Sequence, residues 1–293
     1  MNEVFCDDLR VTVPVESWLD LEEPLHGVLS DAGLAPEFRD EKRRQWRLDG
    51  GTVRSETFRV VRAISASGQA LGRMRTLGLL GRFLSTLGSV PNKVTGLHAT
   101  LDRAEATPPV FDRLMAQAAS AAGLRAGRKR IPVSDLQRYI IRLSDGTDTG
   151  SMYCGPKSNE IRPVVYDKRQ ERMDKGLPDL GYDLTRYELR LRGVGATLRD
   201  AHDPTSIFWH YMAPDFLPAP ASVAPWVAHG EGFAVDHPAA LSPVERLQRR
   251  FVDSSDVADL IRLAASFDGG VDYLCHQIRK RAQAVDPTRT GTH

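Results

Sequence analysis

The chain has 293 residues, of which 41% are hydrophobic and 26% charged, with a net charge of +1; that is the make-up of a globular protein able to bury a substantial core. No apolar run reaches membrane-spanning length, and the amino terminus carries Glu3, Asp7 and Asp8 where a secretory signal needs basic residues ahead of apolar ones. Cys6, Cys154 and Cys275 are odd in number and too widely spaced for a zinc finger, so a reducing cytoplasm is the expected location.

Leu9 to Val13 alternates apolar and polar residues up to Pro14 and is predicted to be a strand. Trp18, Leu21, Leu25 and Val28 or Leu29 recur at helical spacing, which predicts a helix from Trp18 to Ala32 closed by Gly33. Thr52 to Ile64 reads as β, with Gln69 to Arg75 returning beside it after a turn at Ser65-Ala66-Ser67-Gly68. A helix over Leu77 to Leu87 and a strand over Val94 to Asp102 come next. Pro108 to Ala122 then reads as a helix with proline at its start and Gly123 as its stop. Gly123 to Pro132, basic and glycine-containing, is expected to be a linker.

Further strands are predicted at Gln137 to Leu143, Gly150 to Cys154, Arg162 to Lys168 and Leu184 to Leu191. The loop Pro214 to Pro225 separates them from a helical tail that opens on Ser242-Pro243-Val244-Glu245, a capping box with proline at the first helical position. Short polar turns between strands favour antiparallel pairing. The expected fold is therefore α+β: a twisted, mainly antiparallel sheet flanked by helices, with a helical carboxyl-terminal region. Residues 1–123 and 133–213 are expected to form two α+β halves packed on each other, and residues 241–283 the helical region. The halves are candidates for a structural repetition without a sequence repeat.

The net charge gives no sign of a nucleic-acid partner, but its distribution does. Between Arg39 and Arg75 ten basic residues face four acidic ones; Arg125, Arg128, Lys129 and Arg130 form a second cluster, and Arg279, Lys280 and Arg281 a third. A phosphate-binding face needs such local cations, although each cluster alone also reads as hydrated surface.

Three predicted strands gather reactive groups on single faces. Alternation puts His98, Thr100 and Asp102 together; Arg162, Val164, Tyr166 and Lys168 together; and Arg186, Glu188, Arg190 and Arg192 together, with Tyr187, Leu189 and Leu191 toward the core. A polar sheet face is often merely wet, and alternation alone does not bring the three faces into one site.

Met152-Tyr153-Cys154-Gly155-Pro156-Lys157-Ser158, Val165-Tyr166-Asp167-Lys168 with Glu171, and Thr185-Arg186-Tyr187-Glu188-Leu189-Arg190 occur in that order. Together with Thr95-Gly96-Leu97-His98-Ala99-Thr100-Leu101-Asp102 and the opening Leu9 to Pro14, this series resembles the replication initiation factor family, the rolling-circle initiators of plasmids and filamentous phages. The resemblance spans Leu9 to Ala213. It implies an enzyme that nicks and rejoins DNA at an origin: a tyrosine attacks a phosphodiester, leaving a 5′-phosphotyrosine and a free 3′-hydroxyl. Carried over by position, Tyr166 is the nucleophile with Tyr153 as second choice, Lys168 and Arg190 are the accompanying cations, and Asp102, His98 and Glu188 are ligands of Mg2+ or Mn2+.

The implied partners are origin DNA, single-stranded or as a cruciform on supercoiled DNA, with a host helicase and a second copy of the chain as further candidates, and no membrane. The family has an arginine where Gly96 stands and an acid where His98 stands, which opens a second reading, a DNA-binding regulator without catalysis. A relaxase of a mobile element is a third reading, and a scaffold that recruits a helicase a fourth.

Overall fold

The computed structural model describes residues 3–228, apart from 41, 143–145 and 147. The alternation seen at Leu9 belongs to a longer strand, β1 (Val4–Pro14), followed by α1 (Trp18–Asp31). Four strands then form an up-and-down meander: β2 (Ala35–Asp40), β3 (Arg43–Leu48), β4 (Gly51–Phe58) and β5 (Val61–Ser67). The turn between the last two falls at Arg59, whose φ is +54°, and not at Ser65 to Gly68. Gly68–Thr76 is the helix α2, not a returning strand. The apolar residues of that segment explain the difference: Ala70, Leu71 and Met74 lie on one helical face and are all buried.

The chain continues through α3 (Leu80–Gly88), β6 (Lys93–Arg103) and α4 (Thr107–Ser120). The expected linker is a small hairpin, β7 (Leu124–Ala126) and β8 (Lys129–Ile131), which buries Leu124, Ala126 and Ile131 and turns its cations outward. A second meander follows: β9 (Leu136–Arg142), β10 (Asp148–Cys154), β11 (Ile161–Asp167) and, after the short helix α5 (Lys168–Asp174), β12 (Thr185–Leu191). Helices α6 (Leu198–His202) and α7 (Thr205–Met212) end the described elements. The predicted tail, residues 241–283, lies outside the described residues.

Ten strands form one antiparallel sheet in the order β2-β3-β4-β5-β1-β6-β12-β11-β10-β9. Each side of the β1–β6 junction has the same plan: a first strand, a helix, then a meander whose last strand returns beside the first. The sheet is continuous across residues 1–123 and 133–213, because β6 pairs with β12. One face is apolar. Leu9 pairs with Leu97, Ala99 with Leu189 and Leu101 with Tyr187, all at most 3% exposed. They join one hydrophobic core with Leu21 and Leu25 of α1, Phe83 of α3, Phe111 of α4 and Phe208 of α7. Each such side chain contributes about 1.5–3 kcal/mol by leaving water, so this face is committed to stability. The opposite face is free to carry polar chemistry.

The outermost pairing, β9 on β10, depends on Gly150. Its φ is +130°, and a Cβ there would stand 2.0 Å from the Tyr139 carbonyl oxygen. Gly150→Ala should push β9 off β10, lowering stability by at least about 1 kcal/mol and opening the β9 amides to hydrogen exchange. A denaturation midpoint and an exchange pattern identical to the parent chain would refute this account of the edge.

Candidate active site

Cross-strand pairing aligns the polar face in rows. Tyr166, Arg186 and Asp102 form one row; Val164, Glu188 and Thr100 the next; Arg162, Arg190, His98 and Asp8 the third. The three strand faces expected to be polar are thus contiguous, on β11, β12 and β6.

At the end of this surface β1 carries a bulge. Cys6 pairs with Ala99 and Asp8 with His98, which leaves Asp7 as an extra residue. Its Oδ2 accepts a hydrogen bond of 3.0 Å from Arg186 Nη1. The same guanidinium binds Asp102 in the two-pronged manner, Nε to Oδ1 at 2.6 Å and Nη2 to Oδ2 at 2.7 Å. The Arg186 side chain is only 8% exposed. Burial would lower its pKa, but the hydrogen bonds to Asp102 and the charges of Tyr166, Asp102 and Asp7 raise it, so it is a permanent cation. Burial raises the Asp7 carboxyl above its ordinary value, and Arg186 only partly offsets this.

Tyr166 stands directly across from Arg186 and opens onto a cleft of about 560 Å3 lined also by Asp7, Gly68, Lys168, Arg172 and Lys175. Burial raises its phenol pKa first, the charge of Glu188 adds to the rise, and Arg186 opposes it. In the free protein Tyr166 is therefore a stored phenol. Lys168, expected on the same strand face, instead begins α5, because the Asp167 carboxylate caps that helix by accepting from Gln170 N at 2.8 Å. Its Nζ lies 5.9 Å from the centre of the Tyr166 ring and 2.5 Å from Glu171 Oε2.

Glu188 is 3% exposed. Its Oε1 lies 3.1 Å from His98 Nδ1 and accepts from Arg190 Nε at 2.6 Å. Burial alone would raise its pKa, but His98 and Arg190 outweigh burial and bring it down to about 2, so Glu188 is a carboxylate at every physiological pH. A nitrogen and an oxygen donor this close suit a divalent cation as two of its ligands. Asp102, expected to be the third, is not beside them: Arg186, its direct cross-strand partner, takes both of its oxygens. Among the described residues no group of three or more His, Cys, Asp or Glu is arranged to hold a metal. Thr100, between His98 and Asp102 on β6, is fully buried and its hydroxyl has no partner among the described residues.

At Gly96, where the resemblance calls for an arginine, Arg10 of β1 fills the space. A Cβ on Gly96 would meet Arg10 Cδ at 3.2 Å. Tyr153, on β10, lies under Arg162, whose Cζ is 4.5 Å from its ring centre, and 5.7 Å from Arg190 Cζ. Asp7 had no role in the sequence reading and Arg186 was placed on the polar face without one. Asp7 and Asp8 stand just ahead of the alternating stretch that begins at Leu9, and the alternation gave no sign of the bulge at Asp7.

A rolling circle replication initiator protein from Geobacillus stearothermophilus superposes on this chain with a TM-score of 0.45 at 16% identity, over 66% of this chain and 75% of that chain. No protein family model matches the sequence, and no curated protein matches it.

Removing Arg186 leaves Asp102 and Asp7 close together without their cation. Arg186→Met should destabilise the chain by about 3 kcal/mol, read as a shift of the urea midpoint near neutral pH. The loss should shrink as pH falls and the Asp7 carboxyl, already raised by burial, becomes neutral. An equal loss at pH 4 and pH 7 would show that Arg186 acts by packing and not by charge.

Proposed function

We propose that this chain initiates rolling-circle replication by nicking DNA with Tyr166. The observation that carries the reading is the position of Tyr166: a phenol lining a cleft, with Arg186 across from it and Lys168, Arg172 and Lys175 in the same lining. A dianionic, five-coordinate phosphorus centre is the charge such a set of cations suits. The Tyr166 oxygen attacks phosphorus as its proton leaves, the bond from phosphorus to the 3′ oxygen breaks, and that oxygen departs as a 3′-hydroxyl after taking up a proton. The 5′ side stays on the protein as a phosphotyrosine. Rejoining is the same reaction in reverse.

His98 and Glu188 are the residues we propose to hold Mg2+ or Mn2+. Such an ion would polarise the phosphodiester and stabilise charge developing on it. Arg190, fixed by Glu188, grips a neighbouring phosphate. Tyr153 is a second candidate nucleophile, since it shares the face and the proximity of Arg190. Asp102 acts through Arg186, whose guanidinium it orients toward Tyr166. One observation favours the reading without catalysis: the carboxylate expected among the metal ligands is neutralised by an arginine.

Incubation with supercoiled DNA bearing the cognate origin and manganese should give open circles with protein on the 5′ end. Tyr166→Phe should bind that DNA and leave it closed, whereas nicking at the parent rate would move the nucleophile to Tyr153. Glu188→Ala should lose nicking that excess manganese partly restores; full activity in chelator-treated buffer would remove the cation from the mechanism.

The pH dependence follows from the stored phenol. The reactive form is the phenolate and burial holds the pKa above its ordinary value, so the initial rate of adduct formation should rise about tenfold per pH unit between pH 7 and pH 9. A flat profile over that range would show that ionisation of Tyr166 does not limit the step.

A further inference from the structure

The open face that carries Tyr166 also carries a second feature, outside the cleft. From Glu188 and Arg190 on β12 a strip of cations and rings crosses the open face to the edge of the sheet. Arg190 and Arg162 both approach the Tyr153 ring. On the outermost strand, Tyr139 meets Tyr153 edge-on, with ring centres 5.4 Å apart. The strip thus visits β12, β11, β10 and β9 in turn without a gap.

Its exposure and charge are unlike those of a surface that only faces water. Tyr139 is 59% exposed, and Ile141, two residues along on the same strand, 41%. Edge strands usually carry charge or proline at such positions, which keeps other chains from pairing with them. Arg162 donates to the Gly155 carbonyl at 3.0 Å and has no carboxylate partner among the described residues. Burial and the neighbouring Arg190 both lower its pKa; it is a cation held next to another cation. An anion that spans both arginines would relieve that repulsion.

Flat aromatic rings beside two guanidinium groups, of which Arg190 is shared with Glu188 and Arg162 has no carboxylate partner among the described residues, suit an unpaired nucleic-acid strand. Its bases offer faces to stack and its phosphates meet the cations, whereas a duplex hides the base faces. We propose that the Arg190–Arg162–Tyr153–Tyr139 strip seats unpaired DNA beside the phosphodiester to be broken, with a base on Tyr139 and phosphates on Arg162 and Arg190. The proposal rests on the nicking function only in that the strip shares its sheet face with Tyr166. A second copy of the chain pairing along β9 would cover Tyr139 as well, but the two adjacent arginines favour a polyanion.

Fluorescence anisotropy on the full chain, without added metal, tests the strip with a labelled oligothymidylate and a labelled blunt duplex. Tyr139→Ala should weaken oligothymidylate binding about tenfold, Tyr139→Phe should stay within about twofold of the parent, and duplex affinity should not change. Arg162→Gln should weaken single-strand binding and reduce its salt dependence. Parent-like affinity in both Tyr139→Ala and Arg162→Gln overturns the strip, as does a parent chain that does not bind oligothymidylate. A dimer in light scattering that Tyr139→Ala converts to monomer would assign Tyr139 to a contact between copies and overturn it too. The supercoiled-plasmid assay judges nicking independently, so the two ideas can fail separately.

Discussion

The open face of this sheet is organised around one guanidinium. Asp7, Asp102 and Glu188 come from three adjacent strands and would repel one another on a half-dry surface, where charges interact far more strongly than in water. Arg186 lies among them, bonded to two and opposite Tyr166. Glu188 is neutralised separately by Arg190 and lies 3.1 Å from His98 Nδ1. The arrangement sets a cation directly across from the phenol, with the carboxylates that oppose its ionisation beyond it on the same side. It explains why Tyr166 is held protonated although a guanidinium that could stabilise its ionised form faces it.

Much of the architecture was legible in the sequence because it follows from period. The helices at Trp18 and Pro108 and the strands carrying His98, Tyr166 and Glu188 show clean spacing, and their polar faces could be read directly. The losses occurred where spacing is ambiguous. The segment from Thr52 to Arg75 alternates well enough to suggest one long strand and a return, but Arg59 supplies the turn from a left-handed conformation with no glycine to mark it. Strands β2 and β3 carry four arginines and, among the residues whose burial is described, only Trp46 as a strongly buried apolar residue. Lys168 left the tyrosine's strand because Asp167 is a better helix cap than a strand residue.

For the candidate site, alternation could say which residues share a face but not which partner each one chooses. Asp102 looked like a ligand beside His98 because both project from β6. Cross-strand register decided otherwise, giving Asp102 to Arg186 and His98 to Glu188. Asp7 was out of reach for a different reason: a bulge adds one residue and reverses the side on which an acid emerges, and nothing in a period of two reveals that. The two halves were expected to be candidates for a structural repetition, but the five-strand plan they share on either side of β1 and β6 was not legible strand by strand, because their polar faces carry different residues. One presents Asp8, Arg10 and Arg54, the other Tyr166, Arg186 and Glu188.

The Asp7–Arg186 bond joins residues 179 positions apart. Such a contact closes late, since the entropy of bringing distant segments together must be overcome before their interaction counts. During synthesis the first acid emerges early, while its arginine follows only after β6, α4 and the first three strands of the second meander have been made. A chain still on the ribosome, or one cut short before β12, has no Arg186 and so no assembled cleft. The cleft therefore belongs only to a chain that carries both β1 and β12, and no fragment that begins after β1 or ends before β12 can inherit it.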